Sequence, residues 1–393
     1  MRIFFTSFCL NRFKFRIFLI LLFIPVPGHA QEFVETITEW FEFELGEHKQ
    51  GPAYQYPTKL VLAPVISFEP STSLGVGVGT KLLFKFNKAD SVIRTSNVPM
   101  SAQYTLRNQF FFSSEYTIFT NREDYLVKGQ VSYYDYPISF FGTGSQTTSE
   151  DEVALRYKRF VWEPILLRNV WKDLFIGGGI RYNDFNQVRL IENREGEEVN
   201  TSLQDSLGYT SSGTEFALTY DSRNNLLNAS DGYLIEFTHG FYRNWMGSSG
   251  NYSLSKMDLR KYWQLQHEDV LAMQIFTRLS SEETPVLEQS ALGGSDLMRG
   301  FPEQRFIDQH AVFGQMEYRW QTFKRIGFVF FAGMGDVGNP IRDWQFANLK
   351  YSVGSGLRIK IVESEDLNIR LDYGIGFAEE IQTGFYLGIA EAF

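Results

Sequence analysis

The chain has 393 residues, with 46 Asp and Glu against 37 Lys and Arg, a formal net charge of −9 and one cysteine. The acidic balance excludes nucleic acid as a partner, and a lone cysteine excludes a disulfide framework or a cysteine-built metal site. Aromatics make up 16% of residues, yet no run after residue 30 approaches the roughly 18 apolar residues that a membrane-crossing helix needs.

Residues 1–30 begin with Arg2, Arg12, Lys14 and Arg16 and hold no acid. The apolar run Ile17 to Ile24 follows, then Pro25, Pro27 and Gly28. Gly28 and Ala30 put small residues at −3 and −1 of a cut after Ala30. This is the pattern of a secretory signal peptide, too short in its apolar part for an anchor. Cys9 lies inside it without a lipobox. In residues 31–58, Phe33, Ile37, Trp40 and Phe41 recur at helical spacing among Glu32, Glu35, Glu39 and Glu42. That spacing predicts a short acidic amphipathic helix in a periplasmic segment, with an unstructured leader as the alternative. Its polar face lacks the Lys and Arg that favour anionic membranes.

From residue 59 to 393 the pattern changes to a period of two. Leu367, Ile369, Leu371, Tyr373, Ile375 and Phe377 alternate with Asp366, Asn368, Arg370, Asp372, Gly374 and Gly376. Val312, Gly314, Met316, Tyr318 and Trp320 alternate with Phe313, Gln315, Glu317 and Arg319. A strand with this period has one oily and one wet face. A soluble sandwich turns its apolar face to a second sheet and rarely sets charges opposite in strand after strand. Apolar-out and charged-in is the transmembrane barrel pattern, and closure leaves no backbone group unpaired in lipid. Sixteen such segments are predicted, near 59–68, 74–86, 97–107, 108–119, 124–135, 152–168, 173–184, 211–222, 232–243, 250–263, 269–280, 309–321, 325–337, 347–362, 365–378 and 382–393. The expected fold is therefore all-β, a 16-stranded antiparallel barrel. An even count puts both barrel ends at the periplasm and makes 136–151, 185–210 and 281–308 extracellular loops.

Gly75, Gly77 and Gly79 alternate on the inner face of the second strand. Glycine in a strand marks close approach of another backbone, here expected to be an inserted loop or the N-terminal segment. No helix follows this GVGVG, so it is not a nucleotide fingerprint. The loop GGSDLMRGFPEQRF, Gly293 to Phe306, places Arg299 between Met298, Gly300 and Phe301. A fixed guanidinium with five donors is most useful there if the loop folds inward against charges on the wall. By the alternation, Glu317 in the twelfth strand and Asp372 in the fifteenth face the lumen. In the last strand Phe385, Leu387, Ile389 and Phe393 share the outer phase. His48, His239, His267 and His310 stand in no metal-ligand spacing, and no G-x-S-x-G occurs. No catalytic residue, metal or cofactor is expected.

Several of these stretches resemble one family. GGSDLMRGF resembles the arginine-bearing loop motif, including Gly293 and Gly294, of the BamA/TamA-like outer-membrane superfamily, the bacterial surface antigen family. YPISFFGTG (Tyr136 to Gly144) is similar to its third extracellular loop, YDSRNNLLNASDG (Tyr220 to Gly232) to its D-x-R…G periplasmic turn, and FFAGMGDV (Phe330 to Val337) to its F-x-D-x-G strand. The closing stretch GFYLGIAEAF, with Gly388 and Phe393, resembles the signal read by the insertion machinery, although Glu391 stands where an aromatic is usual. Two departures matter. Gly333 stands where the family has an aspartate, which leaves Glu317 and the substitute Asp372 for Arg299. Residues 31–58 are too few for a POTRA domain, so the resemblance is to the short branch without one. It implies a protein of a Gram-negative outer membrane that assists assembly or export of proteins or lipids. The implied partners are outer-membrane lipids, client proteins and, through residues 31–58, a periplasmic protein. The alternatives are a plugged or passive channel, or an anchor for that periplasmic partner.

Overall fold

Period-two alternation becomes a single long meander of strands. The computed structural model describes residues 42–45, 56–69, 73–87, 93–192, 197–199, 208–338, 348–362 and 365–393. The expected signal peptide and the expected helix at 33–41 lie outside these residues. The strands are β1 (Glu42–Leu45), β2 (Thr58–Glu69), β3 (Ser73–Phe84), β4 (Ser96–Thr105), β5 (Phe110–Phe119), β6 (Tyr125–Phe140), β7 (Val153–Trp171), β8 (Leu174–Glu192), β9 (Glu197–Val199), β10 (Tyr209–Asp221), β11 (Gly232–Tyr242), β12 (Tyr252–Gln264), β13 (Val270–Ser280), β14 (Ser290–Leu292), β15 (Phe306–Asp308), β16 (His310–Gln321), β17 (Ile326–Gly338), β18 (Lys350–Val362), β19 (Leu367–Phe377) and β20 (Ile381–Ile389). Sixteen are the expected wall strands. β1 and β9 are short additions, and β14–β15 form a separate hairpin.

Each wall strand pairs antiparallel with the next wall strand in the sequence, β8 with β10 past the short β9 and β13 with β16 across the inserted loop. The alternation has the expected sense. Met316, Tyr318 and Trp320 are exposed while Gln315, Glu317 and Arg319 are buried. Phe216, Ile275, Phe330, Met334, Tyr351, Val353, Phe385 and Leu387 are likewise exposed. In water such a continuous apolar belt would be a liability; against lipid chains it is the stable arrangement. The inner face is charged and paired. Lys128 of β6 reaches Glu236 of β11 across the lumen.

The sheet does not close on itself: no ladder joins β20 to β2 among the described residues. The edge of β2 that faces away from β3 is taken instead by β1, with Glu42 opposite Val61 and Leu45 opposite Thr58. At the periplasmic end the turn after β10 folds inward. Asp221 accepts bonds from Arg223 Nε and Nη2, each 2.9 Å, while Arg94 Nη1 donates to the Asp221 carbonyl at 2.7 Å. Leu227, carried by this turn, joins Val61, Leu83, Ile361, Val362 and Leu367 in one cluster. It thus packs the inner side of the gap between the first and last strands.

An arginine loop inside the barrel

The segment between β13 and β16 carries the functional candidates. β14 and β15 make its stem, and residues 293–305 its tip. Gly293, Gly294 and Gly300 hold φ of 118°, 114° and 113°, a region open to glycine and strained for other residues. Met298 adopts φ 69° and is fully buried with Leu292, Phe301, Phe306, Phe313 and Val337. The tip therefore has its own apolar core, with Phe301 and Phe306 edge to face at 5.2 Å. That core fixes the direction in which Arg299 projects.

Arg299 is 1% exposed. Its Nη1 donates to Asp372 Oδ2 at 2.7 Å and its Nη2 to Glu317 Oε1. The guanidinium also lies 3.6 Å from the centroid of the Phe331 ring, a cation–π contact in a dry site. Glu317 and Asp372 are both at 0% exposure. A side chain at Gly333, where the resembled family has its aspartate, would come within 2.9 Å of the Phe313 ring. Phe313 fills that space, and the second carboxylate arrives from β19 instead.

The charges continue around a ring. Glu317 Oε2 accepts from Arg319 Nε at 3.1 Å, and Arg319 Nε lies 3.9 Å from Glu391 Oε2. Glu391 Oε2 accepts from Arg358 Nε at 2.7 Å, and Arg358 Nη1 donates to Asp372 Oδ1, which returns to Arg299. Three arginines and three carboxylates thus alternate. Each charge has an opposite charge on both sides, the condition under which burying ions is tolerable.

The loop backbone lies directly on β19 and β20. A Cβ at Gly374 would stand 2.7 Å from Gly300 N, and one at Gly376 2.6 Å from the Phe301 ring. Tyr386 of β20 accepts from the Gly300 N–H at 2.9 Å and donates to the Phe301 carbonyl at 3.0 Å. Gly374→Ala should therefore push the loop off its seat at a cost of about 1–3 kcal/mol. Limited proteolysis within 281–308 reads this. A loop as resistant as in the parent protein would show that the seat is not required.

The other end of the loop is fastened to a different part of the wall. Glu288, 2% exposed, accepts from Arg181 and Asn183 of β8, from the Tyr209 hydroxyl at 2.9 Å and from Arg278 at 3.3 Å. The loop consequently spans from the β8–β10 wall to the β16–β19 wall. On the extracellular side Arg305 donates to Thr147 Oγ1 at 2.9 Å and to the Thr147 carbonyl at 2.7 Å, and the Gly144 N–H donates to the Ile307 carbonyl at 2.7 Å. The segment read as the third extracellular loop thus clasps this one.

Two expectations need correction. The glycines that receive the loop are Gly374 and Gly376 rather than Gly75, Gly77 and Gly79; most of the N-terminal segment, the other expected occupant of that stripe, lies outside the described residues. Gly77 is closed in by the backbone of Ala102 and Gln103 on β4, so its small size serves strand against strand. Second, Phe393 does not share the outer face with Phe385 and Leu387. β20 ends at Ile389, Ala390 turns with φ 78°, and Phe393 is buried beside Tyr262, Val270, Ala272 and Ala229. The carbonyl of Phe393 accepts from Arg319 Nη2 at 2.7 Å. Gly388 faces inward against the Arg370 side chain. An acid at 391 in the lipid-facing phase would be costly, which is why the strand stops before it. Glu288, Arg319, Arg358, Tyr386 and Glu391 were not singled out as loop partners by the sequence reading.

Comparison with known proteins places this architecture. A model of the Omp85 superfamily domain matches residues 72–393. BamA from Haemophilus ducreyi lacking POTRA domains 1–3 aligns with a TM-score of 0.51 at 14% identity, covering 84% of this chain and 69% of that one. CdiB from Acinetobacter baumannii aligns with a TM-score of 0.52 at 14% identity, covering 84% of this chain and 59% of that one. At such identity the likeness is one of fold. No curated protein matches. The family model covers most of the chain and all but the first of the sixteen wall strands, and the chain belongs to the Omp85 superfamily of outer-membrane β-barrels.

Proposed function

We propose that this protein assists the assembly or export of proteins or lipids at the outer membrane, without a catalytic step of its own. The observation that carries the reading is the unclosed junction between β2 and β20. It lies beside a loop whose tip rests on β19 and is bonded to β20 through Tyr386. An unpaired strand edge is a template for another strand, and a loop seated against the last two strands is placed to control it. Residues 31–58 are the proposed contact for a periplasmic partner. A second reading, a plugged channel, is favoured by the loop that spans the lumen from Glu288 to Arg299.

Quantitative proteomics and lipid analysis of outer membranes from a deletion strain separate the two. Selective loss of one or more surface proteins, restored by the wild-type gene but not by Arg299→Ala, is the expected result. Unchanged composition together with altered conductance in Glu317→Gln would establish the channel instead.

A further inference from the structure

We propose that residues Ala390–Phe393 are an internal latch, and that Glu391 is a positioning residue that couples the arginine loop to the last strand. The segment makes contacts that a frayed strand end would not. The Ala390 N–H donates to the Asn368 carbonyl at 2.8 Å. Glu391 Oε1 accepts from Asn368 Nδ2 at 2.8 Å, and its Oε2 from Arg358 Nε at 2.7 Å. Its carboxylate side chain is 3% exposed. The Phe393 ring is buried, and Arg319 bonds its carbonyl while also reaching the Ala229 carbonyl at 3.1 Å and Asn228 Oδ1 at 3.3 Å.

The coupling follows from the ring. Arg319 and Arg358 each serve two carboxylates, one shared with Arg299 and one on Glu391. If Arg299 leaves, Glu317 and Asp372 lose a cation each and draw Arg319 and Arg358 toward themselves. Glu391 then keeps a weaker hold in a site too dry to leave a carboxylate unpaired. If Glu391 leaves first, the two arginines turn to Glu317 and Asp372 and compete with Arg299. Coupling of this kind is reciprocal. The latch is continuous with β20, which among the described residues has no ladder on its other side, so withdrawing the loop also frees the periplasmic end of the last strand. The inference concerns the barrel itself and holds whichever functional reading is correct.

The test uses the full-length protein in lipid nanodiscs, with Cys9→Ser and a reporter Ala392→Cys labelled by a water-soluble maleimide. Folding is verified by heat-modifiable gel migration. Labelling of the reporter protein should be slow, and Arg299→Ala should speed it by about tenfold or more, the scale of a directly coupled pair. Glu391→Gln, without the reporter, should make the loop at 281–308 cleavable by protease. Fast labelling in the reporter protein itself would show that the segment does not lie inside. A loop made cleavable by Arg299→Ala with no change in labelling would show that the loop and latch move independently and would overturn the proposal. If Arg299→Ala does not fold, Arg299→Lys provides the same test, because it keeps the charge but loses the fork that reaches Glu317 and Asp372 together. Faster labelling then supports the coupling, and an unchanged rate refutes it.

Discussion

Arg299→Ala is expected to destabilise the folded barrel by about 3–5 kcal/mol, the usual cost of removing one partner from a buried ion pair. The reason lies in the ring. Removing Arg299 leaves Arg319 and Arg358 to balance Glu317, Glu391 and Asp372, all of them buried. The ring then carries one more negative than positive charge, offset only by Arg370, which lies 3.9 Å from Asp372 and is already bonded to Asp296. The face of Phe331 also loses its cation. Arg299→Lys restores the charge but not the fork that reaches Glu317 and Asp372 together, so it should recover only part of the loss. Unfolding in urea, followed by the shift between folded and unfolded gel mobility, measures both. A change within the 0–1 kcal/mol of an exposed pair would mean that the ring is hydrated and does not hold the loop.

Glu288→Ala is the companion experiment at the opposite anchor. Arg181, Asn183 and the Tyr209 hydroxyl all point at this carboxylate, and its loss leaves the two neutral donors without an acceptor, at about 1–3 kcal/mol each, while Arg181 keeps Glu163. Either anchor alone keeps one end of the loop inside. Planar-bilayer conductance should therefore rise modestly in Arg299→Ala or Glu288→Ala and sharply in the double variant. A double variant that conducts no more than the singles would place the barrier elsewhere, for example at the Lys128–Glu236 pair.

The anchor also has a pH signature. Burial alone would raise the pKa of Glu288, but Arg181 and Arg278 outweigh it and hold the carboxyl below its ordinary value. A depressed folded-state pKa stabilises above the unfolded value and is lost as pH falls through the folded one. The Glu288 anchor should thus persist through pH 5 and fail only below the ordinary carboxylate range of about 4.3. Conductance that opened near pH 6 would contradict this.

The wall strands were legible because a strand between lipid and a wet lumen must alternate, and one residue of slip would turn every charge into oil. Arg299 was legible as a fixed cation in a glycine-rich loop that needs a counter-charge; the family resemblance pointed to Glu317 and the substitute Asp372, and the alternation put both in the inward phase. The other half of the ring was hidden for two reasons. Arg319 and Arg358 look like any other lumen-facing arginines until the fold brings residues 74 positions apart, such as Arg319 and Phe393, into contact. Glu391 was read as a misplaced aromatic, yet an acid in the oily phase already marks where the strand must end. Glu288 sits in a loop with no periodicity to betray its direction. Gly374 and Gly376 carried the same signal as Gly75, Gly77 and Gly79, and only packing shows which stripe receives a foreign backbone.

The short β1 gives the open edge of β2 a polarity. Thr58 to Val61 are already zipped to Glu42–Leu45 at the periplasmic end, and beyond Val61 no strand is paired to that edge among the described residues. A strand adding to β2 from this side would find a toehold only in the stretch beyond Val61. It would then advance toward the periplasm by displacing β1 one hydrogen-bonded pair at a time. Such an exchange trades one ladder for another at every step and never exposes the whole edge at once.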